Sequence, residues 1–319
     1  MLAVLPLSSL AVPAFAESSA ALAIPIDCTR TATSPVVTYT CSTLHSNWTL
    51  TGGNTKVTIT GGPGEAGIQN GVTLSYQGTG TFDLSVQGGG PQGAGGQSGG
   101  VGNDGTVKVG AAAGHTTITL TAGRVGTTQS ARPANRGVVS AANADTSVKA
   151  TGAAGTVAGA VMDPSPGNTG SITATTVTLI GGAGGSWPSA SSGPGQVGGA
   201  GAAGNTGSVT ATTVTTTGGD GGGGQAVQIV GPGGNGGAGG AGTSGGRITA
   251  PTIIAKGGTG GAGGAGGLNA VGSGNGGNGG NGVCQTTLSS TPQASGGAGG
   301  PGGPGVVPGQ PGANGKPFC

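Results

Sequence analysis

Two histidines, four cysteines, one GGVGND run and a recurrent Thr-x-Thr pattern are the features of this 319-residue chain that could do chemistry. Neither His45 nor His115 stands in a nucleophile–base or metal-ligand spacing, so both read as solvated or structural. The run Gly99–Asp104 matches the opening of the calcium nonapeptide G-G-x-G-x-D. Calcium takes six to eight oxygens, which a stack of such repeats supplies. Here there is one copy, with Thr106 where the motif needs an apolar residue. Asp104 is therefore expected in a glycine turn and not in a metal site. A polysaccharide-cleaving site would need clustered acids and bases, and the repeated part of the chain offers only Asp220, Arg247 and Lys256. No catalytic residue, cofactor or metal is expected, and the chain reads as a non-enzyme.

Cys28 and Cys41 bracket a short Thr/Val segment, and Cys284 and Cys319 bracket a glycine/proline-rich tail. No C-x-x-C or neighbouring histidine points to zinc. Three disulfide pairings are open to four cysteines. The two local ones are expected, since each would staple one end of a repeat array, and terminal repeats need covering. Threonine is the other signal. Thr173, Thr175, Thr178, Thr210, Thr212 and Thr215 recur at alternate positions, and stacked outward they would form flat hydroxyl–methyl rows. Threonine is also an ordinary residue on the wet face of a strand.

These residues must be positioned by an unusual chain. Glycine contributes 81 residues and proline 19, charged residues are 6% and aromatics 2%. A globular domain of this length would bury many Leu, Ile and Phe, so a compact enzyme core is not expected. Disorder competes, but disordered chains carry high net charge. This one carries +2, from ten basic and eight acidic residues. Arg124, Arg132 and Arg136 form a loose basic cluster with no stripe that nucleic acid would need.

Order is also signalled by repetition. The phrases NTGSITATTVTLIGG at 168–182, NTGSVTATTVTTTGG at 205–219 and GGRITAPTIIAKGG at 245–258 are copies spaced 37 and 39 residues apart. Periods of this size mean stacked units and not one globular core. Each phrase divides into two short strands. Ile172, Val209 and Ile248 are equivalent inward positions of the first strand, and Val177, Val214 and Ile253 of the second. Alternating segments also appear at Val57–Thr60, Val72–Tyr76, Phe82–Val86, Val107–Val109 and Thr117–Thr121, each reading as a half-buried strand. The stretch 122–167 is expected to be loop-rich, with one weak strand at Ser147–Lys149.

Between the phrases run Gly-Gly-X tracts, such as 257–267 and 272–282. A threefold extended helix rises about 3.1 Å per residue and places every X on one edge. Tracts of equal length about Trp187, about Val227–Val230 and about Leu268 suggest out-and-back hairpins. The expected fold is all-β, a parallel β-solenoid with polyglycine/polyproline-II-type hairpin inserts. Its expected parts are a signal peptide at 1–16, a disulfide-containing cap at 17–50 and irregular β-rich repeats at 51–167. Three solenoid/Gly-rich repeats follow at 168–283, and the disulfide-bearing tail at 284–319. The signal-peptide reading rests on an apolar stretch ending in Ala14-Phe15-Ala16. No segment is long and apolar enough to span a membrane.

The phrase GSITATTVTL resembles the coils of secreted bacterial β-helix adhesins. The tract GGNGGAGGAG at 233–242 is similar to the glycine-rich PGRS-type repeats of mycobacterial surface proteins, and to polyglycine sandwiches of phage tail-tip adhesins. The resemblance covers about 168–305 and implies a secreted or cell-surface structural or adhesive protein. Its expected partners are its own copies or cell-surface and matrix components, with no nucleic acid. The alternative is an ice-binding protein using outward threonine rows. If Asp104 lies in a plain turn, adding calcium leaves the melting temperature unchanged; a calcium-dependent rise in a thermal melt would restore the metal site.

Overall fold

The computed structural model describes residues 24–91, 99–124, 131–156, 163–268, 272–283 and 291–318. Among them every regular element is a strand, as glycine at this density disfavours helix. An antiparallel hairpin comes first, β1 (Cys28–Thr33) on β2 (Val36–Cys41), with the Cys28–Cys41 disulfide across its open end. Short and long strands then alternate: β3 (Trp48–Leu50) and β4 (Thr55–Thr60), β5 (Thr73–Tyr76) and β6 (Phe82–Gln87), β7 (Thr106–Val109) and β8 (Thr116–Thr121). Next come β9 (Val138–Ala141) and β10 (Thr146–Thr151), then β11 (Ser171–Thr173) and β12 (Thr176–Ile180). The order continues through β13 (Ala190–Ser192), β14 (Ser208–Thr210), β15 (Thr213–Thr217), β16 (Val227–Val230), β17 (Arg247–Thr249) and β18 (Thr252–Lys256). The last strands are β19 (Gly282–Val283), β20 (Thr291–Ser295) and β21 (Pro317–Phe318).

Short strands stack in parallel as a seven-stranded sheet, β3-β5-β7-β9-β11-β14-β17. Long strands build a ten-stranded sheet, β1-β2-β4-β6-β8-β10-β12-β15-β18-β20, parallel after the opening hairpin. A third line of parallel bridges joins Leu44, Ile68, Asn103, Asn135, Asn168, Asn205 and Thr243. From Leu44 to Lys256 each rung of chain thus meets the next at three places, in the same order. The phrase equivalence holds at the level of register: Ile172 pairs with Val209 and Val209 with Ile248. Val177 likewise pairs with Val214, and Val214 with Ile253.

The strands alternate buried and exposed positions, and the buried faces of both sheets share one core. That core changes character along the stack. Near the opening hairpin it holds Trp48, Tyr76 and Phe82, the last two stacked with ring centroids 4.4 Å apart. Tyr76 donates its hydroxyl to the Gly53 carbonyl at 2.7 Å, and burial pushes its phenol above the usual value. Beyond residue 163 Val, Ile, Leu and Ala fill the same space, with Thr216 buried between Leu179 and Ala255. There no aromatic ring is buried among the described residues, and a second structure packs beside the sheets.

That structure is made by the glycine tracts. After each late long strand the chain runs out (181–186, 218–226, 257–267, 296–305), turns and runs back (193–204, 231–242, 272–282, 309–317). Gly218, Gly221 and Gly224 donate to the carbonyls of Lys256, Thr259 and Ala262 on the next outgoing tract, at 2.8–2.9 Å. Gly236, Gly239 and Gly242 do the same to Asn275, Asn278 and Asn281 on the next returning tract, at 2.8–3.0 Å. A second set crosses between layers, as from Gly219 to Ala202 and Gly222 to Gly199, at 2.7–2.8 Å. The donors recur every third residue, so one face of each tract meets each neighbour. No side chain fits inside: a Cβ on Gly237 would lie 1.9 Å from the Gly199 carbonyl oxygen, and one on Gly222 2.0 Å from that of Gly185.

Two sequence expectations need correcting. The stretch 122–167 holds two strands in full register, β9 and β10, in place of loops with one weak strand. Its Val139 and Val148 occupy the same inward positions as Ile172 and Val177. Residues 291–318 likewise continue the stack, since β20 pairs with β18 and two more glycine tracts pack on those before them. Cys284 and Cys319, and the leader at 1–16, lie outside the described residues. Val209 is 2% exposed and flanked by Ile172 and Ile248. Replacing it with Asp buries an unpaired charge, expected to cost at least about 3 kcal/mol. Urea denaturation should show that loss, and an unchanged midpoint would overturn the register.

Candidate functional site

A regular stack offers chemistry only where side chains leave it, so the candidate sites are its corners and outer faces. At one corner Asn103, Asn135, Asn168 and Asn205 are fully buried in adjacent rungs. Asn103, Asn135 and Asn168 each donate a side-chain amide to the oxygen of the next, at 2.8, 2.7 and 2.8 Å. An amide suits this place because it is donor and acceptor at once. The Asn168 and Asn205 oxygens also accept from the backbone of Gly170 and Gly207 at 3.2 Å. The Asn103 oxygen has no partner, since the preceding bridge residue is Ile68. Sequence reasoning missed this ladder. Its trace is an Asn-x-Gly triplet at 103–105, 135–137, 168–170 and 205–207, which also phases the rungs before residue 168.

The residue after each ladder asparagine points out of the corner. Asp104 accepts from two of the three guanidinium nitrogens of Arg136 on the neighbouring rung, Nε at 2.6 Å and one terminal nitrogen. This bond, with the carboxylate's charge, raises the Arg136 pKa further. Clefts of about 250 and 350 Å³ flank the pair, but its charges are spent on each other. His45 and His115 each sit beside an aspartate, Asp27 at 3.2 Å and Asp145 at 2.9 Å, in exposed positions. Among the described residues no three His, Cys, Asp or Glu side chains converge, and no helix is long and apolar enough to cross a membrane.

The six threonines singled out by spacing do not share a plane. Thr173 and Thr210 stand in one outward row of the seven-stranded sheet, and Thr178 and Thr215 in one row of the ten-stranded sheet. Thr175 and Thr212 lie at the bend between the two. There the Thr175 hydroxyl donates to the Ala144 carbonyl at 2.9 Å. The broader array is on the ten-stranded sheet. Parallel register aligns Thr117, Ser147, Thr176, Thr213 and Thr252 in one row. It aligns Thr119, Lys149, Thr178, Thr215 and Ile254 in the second, and Thr121, Thr151, Ile180, Thr217 and Lys256 in the third. Neighbouring rungs are spaced about 4.8 Å and alternate residues along a strand about 6.6 Å. The result is a grid of hydroxyls and methyls, broken by two lysines and two isoleucines.

Beside this grid the outgoing tracts present Asp220, Thr259, Ala262, Ala298 and Pro301 outward, and the returning tracts present Asn235, Asn275, Asn278 and Asn281. The asparagine oxygens brace the bundle: Asn235 accepts from the Asn275 backbone at 2.8 Å, and Asn278 from Ala313 at 3.0 Å. The turns between tracts carry exposed aliphatics, Ile229, Val230, Leu268, Val306 and Val307.

No protein-family model matches the chain, and no curated protein resembles it significantly. One solved structure is similar in part, a springtail antifreeze protein from Granisotoma rainieri described as a nine polyproline type II helical bundle. The match is 32% identical and covers 44% of this chain and 94% of that one, with a TM-score of 0.26. So low a score supports no transfer of fold or ligand.

The asparagine ladder makes a direct prediction. Asn168→Ala leaves the Asn135 amide and the Asn205 oxygen each short of a buried partner, a loss expected at about 1–3 kcal/mol. Thermal unfolding would measure it, and an unaltered melt would show that the ladder does not hold the corner.

Proposed function

We propose that the chain is a parallel β-solenoid flanked by a bundle of polyproline-II-type glycine hairpins. It acts as a secreted, non-enzymatic structural or adhesive surface protein. The carrying observation is the outward grid of the ten-stranded sheet, which is regular in register and rich in hydroxyls, with Lys149 and Lys256 as its charges. Such a surface makes many weak, identical contacts with a partner that is itself extended and repetitive. Cell-surface and matrix polymers, or further copies lying side by side, meet that description. The Cys28–Cys41 bond supports export, since disulfides persist in oxidising compartments.

Ice binding is the second reading, and the same threonine rows favour it. Lys149 and Lys256 interrupt the grid where a crystalline ligand would want it unbroken, so the adhesive reading stands first.

Thr178→Arg with Thr215→Arg tests both. Each side chain points outward, so stability should stay within about 0.5 kcal/mol. Retention of labelled protein on insoluble cellulose and chitin should fall by about tenfold, equivalent to about 1.4 kcal/mol. Equal retention of the double variant would remove the grid from the contact. Thermal hysteresis of the unaltered protein at micromolar concentration, lost in the double variant, would decide for ice.

A further inference from the structure

In a stack of identical rungs the last one faces an empty place shaped for the next, and unpaired strand edges invite association. The final rung of this protein departs from its predecessors at the positions that would receive another. In each earlier returning tract the residue after the outward one is glycine, and it donates to the following rung. Gly198 and Gly201 donate to Asn235 and Ala238, Gly236 and Gly239 to Asn275 and Asn278, and Gly276 and Gly279 to Gln310 and Ala313. In the last returning tract these places belong to Pro311, Asn314 and Pro317. Proline has no N–H to give.

The same substitutions fill space. A Cβ on Gly276 or Gly279 would lie 1.9 Å from a carbonyl oxygen of the next outgoing tract, Gly300 or Gly297. Pro311 and Asn314 put side chains where such a tract would run. Asn314 goes further: its side-chain oxygen accepts from the Gly299 N–H at 2.9 Å. The equivalent donors of earlier rungs, Gly221 and Gly260, reach across to Thr259 and Ala298 of the rung that follows.

The ten-stranded sheet shows the same departure. Gly218 donates to Lys256 and Gly257 to Ser295, each across to the next rung. Alternation along the parallel strands points the N–H groups of Val214 and Ile253 the same way. The residue in register with them on β20 is Pro292.

We propose that Pro292, Pro311, Asn314 and Pro317 form a terminator that prevents a second copy of this chain from stacking on the final rung. The proposal is independent of the adhesive reading and concerns the end of the stack, not its faces. It holds for any glycine tract offered to this rung, whatever follows Cys319. At the opposite end the ten-stranded sheet finishes in the disulfide-linked antiparallel hairpin β1–β2, unlike the parallel, glycine-bearing rungs that the final rung would receive. Reopening the final rung should therefore give pairs joined end to end and not filaments.

The test compares the full chain with Pro292→Val/Pro311→Gly/Asn314→Gly/Pro317→Gly by light scattering after size exclusion across a concentration series. The unaltered protein should show no end-to-end contact, and the variant should double in mass as concentration rises. Negative-stain images should then show particles of twice the length. A variant that folds, judged by a cooperative melt, yet never pairs would overturn the proposal. So would end-to-end stacking of the unaltered protein through this rung. If the fourfold variant fails to fold, Pro311→Gly/Asn314→Gly/Pro317→Gly, which reopens all three glycine places of the last returning tract, carries the same comparison, and a folded triple variant without association counts equally against it.

Discussion

Backbone hydrogen bonding from one rung to the next is the constraint that everything else serves. In the sheets it is the ordinary parallel ladder, with side chains free to fill a core between. In the glycine bundle it is the main part of the packing, because carbonyl oxygens occupy the space where Cβ atoms would be. The two regimes trade places along the chain. Rungs near Trp48, Tyr76 and Phe82 bury aromatic side chains, and rungs beyond residue 163 bury aliphatic ones and send out glycine tracts. Glycine loses the most conformational freedom on ordering. The tracts hold their shape only because each lies against several others already in place.

This arrangement explains the poverty of conventional chemistry. Side chains in the stack are either core, such as Ile172 and Val214, or register devices, such as the buried asparagines. The exposed asparagines of the returning tracts also brace their neighbours. Charged groups are few, and Asp104 and Arg136 neutralise each other across adjacent rungs. What remains outward is a lattice whose spacing is set by the backbone. Recognition by such a surface depends on periodicity more than on any one residue.

Much of this was legible in the sequence, for a definite reason. The three phrases around Ile172, Val209 and Ile248 repeat because like rungs impose like demands, and the period of three in the tracts matches backbone donors that recur every third residue. Earlier rungs were harder to read. Their core positions hold aromatic and varied aliphatic residues, and with no shared phrase the stretch around Val139 and Val148 looked like loop. The Asn-x-Gly triplets carried the missing phase, but a single buried amide has no hydrophobic pattern to announce it. The threonine rows were legible as alternation, whereas the bend at Ala174–Thr175 that splits them between sheets depends on how the chain closes each rung. The closing residues of the last rung read as an irregular proline-rich tail, because their meaning lies in the neighbour they exclude.

The threefold phasing of the glycine tracts also limits how this molecule can change length. Removing or adding one or two residues in a tract would turn every later donor away from its acceptor and drive Cβ atoms into carbonyls. Three residues added to both an outgoing limb and its returning partner would restore all contacts and extend the hairpin by about 9 Å. Changes of tract length therefore fit the bundle only in multiples of three residues. The bundle can grow or shrink by whole steps while the sheets beside it stay as they are.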